Sequence, residues 1–364
     1  MLRKNLLSVH RWVSIVFAAF WVIQAATGMI AVFHWEIDDA TIPGAHHPTN
    51  FSLIEQRIDE YVSASPGRKV SSIWSSAGFA DRYDVNISTI TSEPSHVLRI
   101  DGIGTILRKR TENETLANGG FISLIISLHH NLLGGTLGKL IVGISGIVLL
   151  SNLFIGVYFA WPRHGNWRSL LPKADNNLNV AWYHSWHRAL GLAFFIPAIF
   201  VVFFGVSLAF EKSLSKLLNA PAASHPAPDD SWVNHEVGLR DVVEGALSRY
   251  PEAKVAGISF PSSDYPVWKI TLNQPEEAAR AYGKTRVFLN AADGSVLSDY
   301  NTLTAPAGNR FMDALFSIHN GEIGGVIGRI ITFSVGLWLL LMITLGIGLW
   351  LARRDRARRR PKKG

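Results

Sequence analysis

The sequence predicts a membrane protein built on an all-α four-helix transmembrane bundle, with two small α+β modules outside the membrane and an internal parallel duplication. Three observations point there. Of the 364 residues 48% are hydrophobic, and they gather into four blocks near 12–35, 137–161, 188–210 and 327–351. Each block supplies the ~20 apolar residues that a helix needs to cross a bilayer core. Basic residues flag one end of every block, and a glycine-rich motif returns at a constant distance along the chain.

Residues 1–35 hold the first span. It is too long for the apolar part of a cleaved leader, and no convincing small-x-small cleavage site precedes the acidic stretch Glu36-Ile37-Asp38-Asp39. Residues 36–120 form the first outer module, with a helix over 53–61, strands over 83–90 and 96–100, and a turn at Asp101-Gly102. Residues 121–161 carry the second span behind a histidine-bearing lead-in, and 162–186 form a cytoplasmic loop. Residues 187–210 are the third span. The second outer module occupies 211–318, with an irregular linker over 221–228, a helix over 239–250, a strand over 267–272 and a hairpin over 286–297 around Asp293-Gly294. Residues 319–352 hold the fourth span and 353–364 a basic tail.

Lys and Arg fix the orientation. Arg3, Lys4 and Arg11 precede the first span. Arg163, Arg168, Lys173 and Arg188 lie between the second and third, and Arg353-Arg354 open the tail. All three segments are expected in the cytoplasm, both termini included. The tail alone carries a net +7, equal to the excess of the whole chain. The basic balance is thus a topology signal, and no nucleic-acid partner is expected. Cysteine is absent, which excludes disulfides, iron–sulfur clusters and covalently attached c-type haem.

The pattern His-x4-Gly-Gly-x2-Gly-Lys/Arg occurs from His129 to Lys139 and again from His319 to Arg329, at an offset of 190. His10-Arg11 matches His187-Arg188 at an offset of 177, and Gly28 then matches Gly205. Both halves, about 1–165 and 180–354, start from the same side of the membrane, so the repeats are parallel, related by an axis along the membrane normal.

Four histidines therefore fall into two matched pairs, His10 with His187 and His129 with His319. Ionisable groups at membrane depth point to function. Neutral imidazoles from two helices are suited to clamp a b-type haem as axial ligands of the iron. The competing account is that these are interfacial histidines beside the headgroups. On the second span His130 competes with His129; adjacent helical residues point about 100° apart, and the repeat favours His129. A continuous helix from His129 to Trp161 would be about 48 Å long against a core of about 30 Å, which puts the outer pair at or above the outer surface. The glycines Gly134, Gly135, Gly138, Gly324, Gly325 and Gly328 suit close approach either of a macrocycle or of another helix. Lys139 and Arg329 are candidates to pair with haem propionates or to snorkel to the interface. His34 is an alternative outer ligand, and His184 an accessory metal ligand or a bystander. His46, His47, His96, His225 and His235 are expected to be solvated. Trp35 and Trp186 read as interfacial belt or haem neighbours. No residue is assigned a catalytic role.

Four segments in order then resemble one family over nearly the whole chain. They are His10-Arg11-Trp12 opening a span that closes on Thr27-Gly28, the run Trp186-His187-Arg188-Ala189-Leu190-Gly191-Leu192, Ile318-His319-Asn320-Gly321, and Leu349-Trp350 followed by Arg353-Arg354. They are similar to the PepSY-associated transmembrane proteins, and the outer modules resemble PepSY domains. The resemblance implies a bacterial inner-membrane location. It also implies either a di-haem ferric-siderophore reductase, which would release iron as Fe(II), or a protein described only as iron-regulated. The sequence has no Gly-x-Gly-x-x-Gly after a strand, so no flavin or nicotinamide is expected in this chain; electrons would come from quinol or a cytoplasmic reductase. Two other readings compete. One is a regulatory protein whose PepSY modules bind a peptide or protease without haem. The other is a transporter of intact ferric chelate, for which Gln24, Ser145, Asn152, Ser207 and Thr344 offer little polar pathway.

Overall fold

The computed structural model describes residues 1–64, 67–76, 81–89, 95–111, 120–162, 165–172, 178–221, 226, 237–262, 265–278 and 281–358. His225, His235, Arg163, Lys173, Ile90 and most of the expected linker lie outside them. The described chain forms two compact units, one of residues 1–32, 125–210 and 318–364, the other of 33–124 and 211–317.

The first unit is helical. Helix α1 (Leu2–Val32) is followed, beyond the second unit's α2 (His34–Asp39) and α3 (Phe51–Ser63), by α4 (Gly120–Asn131), α5 (Gly135–Ala160), α6 (Val180–Ala193) and α7 (Phe195–Ala209). The second unit then adds α8 (Glu211–Leu217), α9 (Leu239–Arg249) and most of α10 (Ala307–His319), and α11 (Gly325–Arg358) returns to the first. Helices α1, α5 and α11 are each long and apolar enough to cross a membrane; α6 and α7 make a fourth span only if taken as one bent element. The expected straight third span is broken by 64° between them. Pro197, in the first turn of α7, has no N–H for the Ala193 carbonyl and its ring crowds that carbonyl. Helix α1 packs on α11 and α5 on α7. Small residues set both contacts: a Cβ on Gly336 would lie 2.5 Å from Met29, and one on Gly146 2.5 Å from Val206.

A second correction concerns the expected continuous helix from His129 to Trp161. The chain leaves α4 through Leu132 and Leu133, both left-handed at φ 52° and 61°, and re-enters helix at Gly135, φ 55°. The 48 Å rod is therefore two helices. The same break separates α10 from α11, through Gly321 (φ 82°), a 3-10 turn at Glu322–Gly324, and Gly325 (φ 61°).

The second unit holds eight strands, β1 (Arg68–Ser75), β2 (Arg82–Thr89), β3 (His96–Asp101), β4 (Ile106–Thr111), β5 (Lys254–Ser259), β6 (Val267–Asn273), β7 (Thr285–Asn290) and β8 (Val296–Tyr300). They form one antiparallel sheet in the order β4-β3-β2-β1-β5-β6-β7-β8. The two expected modules thus share a single sheet, joined where Ser72, Ile73 and Trp74 pair with Ser259, Ile258 and Gly257. Ile54 and Ile58 of α3, with Leu239, Val242, Val243 and Ala246 of α9, cover the sheet residues Ile73, Val85, Leu98, Ile258, Ile270 and Val287. At the join Trp74 lies over Gly257, where a Cβ would come within 2.5 Å of the indole.

The start of this unit is tied to the sheet by ions. Asp38 of α2 accepts from Arg99 (3.0 Å) and Arg108 (2.8 Å), Arg99 also binds Asp84 (2.6 Å), and Arg82 reaches Asp39 (2.9 Å). Burial pushes the Asp38 carboxyl up, but the hydrogen bonds and charges of Arg108 and Arg99 win and hold it below its usual range. His96 is buried at the start of β3 with Nε2 on the Tyr61 hydroxyl at 2.7 Å, which corrects the expectation that it is solvated. His46 and His47 stand beside Asp39 and Asp101.

Two outcomes follow. Gly257→Val forces Trp74 off the join, and the sheet's unfolding free energy should fall by about 1–3 kcal/mol, read by denaturant titration with circular dichroism. Asp38→Asn leaves Arg108 and Arg99 short of an anion in a buried site and should cost about 3 kcal/mol. Because the folded carboxyl titrates below the unfolded one, the wild-type advantage is present above roughly pH 4 and vanishes as the pH falls through the folded value. The variant's deficit should therefore shrink on acidification.

Candidate functional site

The repeated glycine motif builds a helix–break–helix. Its last glycine is packed directly on the break: a Cβ on Gly138 would sit 1.6 Å from the Asn131 carbonyl oxygen, and one on Gly328 2.1 Å from that of Gly321. Gly135 and Gly325 supply the left-handed turns. Gly138 and Gly328 thus pack closely on backbone, whereas a Cβ at Gly135 or Gly324 would meet nothing within 4 Å. The breaks leave His129 in the last turn of α4 and His319 as the last residue of α10.

Their rings meet. His129 and His319 have ring centres 6.2 Å apart with planes at 23°. His10 on α1 and His187 on α6 form the other pair, 6.4 Å apart at 70°. His130 is exposed, its ring 6.0 Å from that of His129. His34 begins α2 and packs on Trp35, and His184 is exposed on α6. Trp35 donates to the Tyr282 hydroxyl at 3.0 Å, and Trp186 tilts against Trp182.

The ring nitrogens are held in a repeating way. Nδ1 of His129 donates to the Gln24 carbonyl of α1 (3.1 Å) and leans on Thr27 Oγ1 (3.3 Å), whose proton goes to Ile23. Nδ1 of His319 donates to the Val201 carbonyl of α7 at 2.9 Å. Nδ1 of His10 donates to the Asn152 carbonyl of α5 at 3.1 Å. His187 faces the Met342 carbonyl of α11, and its Nδ1 falls short of a well-formed bond. A carbonyl only accepts, so Nδ1 carries the hydrogen and Nε2 keeps its lone pair. No described residue hydrogen-bonds Nε2 of any of the four.

Two imidazoles on opposite faces of one metal, each about 2 Å away through nitrogen, hold their ring centres about 6 Å apart. Both pairs have that separation, with basic nitrogens left for a ligand, so the residues fit a metal centre clamped from two sides. Among the described residues no three His, Asp or Glu side chains converge as metal ligands.

A family model described as PepSY-associated TM region matches residues 7–353. The chain belongs to that family. No curated protein matches this PepSY-associated chain.

Sequence reasoning matched Gly28 with Gly205 without giving them a role, and missed Gly156 and Gly346. Gly28 and Gly205 face His129 and His319, and Gly156 and Gly346 face His10 and His187. Gly156 and Gly346 are separated by the repeat offset of 190, so the alignment carried the signal. The halves also differ. Ser14 donates to the His10 carbonyl (2.7 Å) and accepts from the Asn152 amide (2.9 Å); the positions at the repeat offsets are Gly191 and Met342. Lys139 is exposed at the start of α5, whereas Arg329 is buried and donates through Nε and Nη2 to the Val32 carbonyl at the end of α1 (3.1 and 2.6 Å). The alignment had given these two cations one role.

Gly138→Ala and Gly328→Ala should each cost roughly 2 kcal/mol or more, because a Cβ there collides with backbone. Gly324→Ala, which meets nothing within 4 Å, should be close to neutral. Thermal unfolding of the purified protein in detergent separates them.

Proposed function

We propose that this membrane protein is a duplicated, four-span, di-haem b oxidoreductase that carries electrons outward across the bacterial inner membrane to a ferric chelate, a ferric siderophore in particular. The observation that supports it best is the matched arrangement of two imidazole pairs, each with ring centres about 6 Å apart and each ring turned so that Nε2 is free. His10 with His187, and His129 with His319, would supply the axial nitrogens. Bound haem contributes a one-electron ferric/ferrous couple.

The chain's own part is ligation, spacing and dielectric. Two protein ligands per iron leave no open position, which suits electron transfer over oxygen chemistry. The two pairs both touch α1, one through His10 and one through the Gln24 carbonyl. Those fourteen residues are about 21 Å of helix, so the pairs lie toward opposite faces of a core of about 30 Å. The Lys and Arg bias puts the His10 end in the cytoplasm, where quinol or a soluble reductase would be the donor. At the outer end each ferric ion takes one electron, and Fe(II), a softer and less charged ion than Fe(III), is released from the oxygen-donor chelate. Lys139 remains the better-placed cation for a haem carboxylate, since Arg329 is engaged with Val32.

Purified protein should show a sharp b-type α-band in the dithionite-reduced minus oxidised spectrum and about two haems per chain by pyridine haemochrome. His10→Ala or His187→Ala should each remove one haem and spare the other, and the same holds for His129→Ala or His319→Ala. A chain without a Soret band after expression with haem supplied would end this reading and direct attention to the sheet-bearing unit as a peptide-binding regulator.

A further inference from the structure

Three of the four rings, those of His10, His129 and His319, are held through Nδ1 by a carbonyl of another helix. His187 faces one without a well-formed bond. The seat has a second member. In a helix the Cα–Cβ bond tilts toward the N-terminus, so the side chain at position i+4 leans over the carbonyl of residue i. A glycine at i+4 bares that carbonyl to an outside donor. The carbonyls facing the four rings belong to Gln24, Asn152, Val201 and Met342, and the residues four places on are Gly28, Gly156, Gly205 and Gly346. The glycine is also what the ring occupies. A Cβ at Gly28 would lie 2.8 Å from Cε1 of His129, at Gly205 2.8 Å from Cε1 of His319, at Gly156 3.1 Å from Cε1 of His10, and at Gly346 3.5 Å from Cε1 of His187.

We propose that Gly28, Gly156, Gly205 and Gly346 are positioning residues, each opening one helix carbonyl so that it captures an imidazole Nδ1–H and aims Nε2 at the partner ring. The inference rests on the reading that the four histidines are ligands, and it adds what sets their tautomer and orientation. The clearances are graded. The outer glycines leave no room for a methyl, Gly156 leaves little, and Gly346 leaves ordinary contact. The weaker seat at His187, whose Nδ1 lacks a well-formed bond, agrees with that grading.

The test is an alanine series in the full chain, with Gly324→Ala as control. Alanine normally strengthens a helix relative to glycine, so a loss seen in these variants with an unchanged elution profile reports on the ring rather than on folding. Gly28→Ala and Gly205→Ala should each lower the haem count from about two to about one and remove the outer component from a redox titration. Gly156→Ala should shift the midpoint of the inner component, Gly346→Ala should have the smallest effect of the four, and the control should match wild type. Nitrogen NMR of protein labelled at histidine gives an independent reading, with or without haem. The wild type should show the four seated rings as the Nδ1–H tautomer, and Gly28→Ala and Gly205→Ala should each release one to a mixture. Alanine variants that keep both haems, their potentials and the tautomers overturn the proposal. A wild type without haem that nevertheless keeps the Nδ1–H tautomers overturns the ligand reading alone.

Discussion

A buried imidazole has two nitrogens to satisfy, and inside an apolar bundle the acceptors at hand are helix carbonyls already bonded along their own helices. Such a carbonyl has a second lone pair, and a donor on another helix reaches it most readily where the side chain four residues on is missing. The helical unit is arranged around that constraint. Helices α1, α7 and α5 present carbonyls that hold His129, His319 and His10, each by a helix other than its own, and α11 presents one that His187 faces without a well-formed bond.

Much of this was legible in the residues. The apolar blocks overlap α1, α5 and α11, and the two repeat offsets matched the histidines whose rings lie side by side in the structure. What was missed has physical causes. Leu132 and Leu133 read as more apolar helix, yet they carry the left-handed turn that ends α4; hydrophobicity does not report φ. Pro197 was inside a strongly apolar run, and its missing N–H bends the third span. Strands β1 and β5 escaped because each contains an irregularity, between Val70 and Ser72 and between Val255 and Gly257, which shifts the alternation of faces by one residue. Gly156 and Gly346 lie among apolar residues, where glycine is common enough in membrane helices to attract no notice.

The two halves differ in side chains around the paired histidines. His10 is framed by Ser14 and Asn152, with the Asn152 Oδ1 buried and unpartnered, while His187 is framed by Gly191 and Met342. Arg329 closes the end of α1 by donating through two nitrogens to its last carbonyl, that of Val32, where cationic charge is favoured by the helix dipole, and Lys139 is exposed instead. If both pairs carry the same group, these differences in polarity are what would make the two sites unequal.

The sheet extends the point. Ile73 and Ile258 pair with each other at its centre, with three further strands on either side of the join. Were the sheet assembled from two copies of a half-length chain, as in an isologous dimer, every contact beside the dimer axis would occur twice with identical residues. Here one flank holds Trp74 against Gly257 and the other Ser72 against Ser259. A knob on one side with a hole cut for it, and neither on the other, is open only to a sheet whose two halves are written separately in one polypeptide.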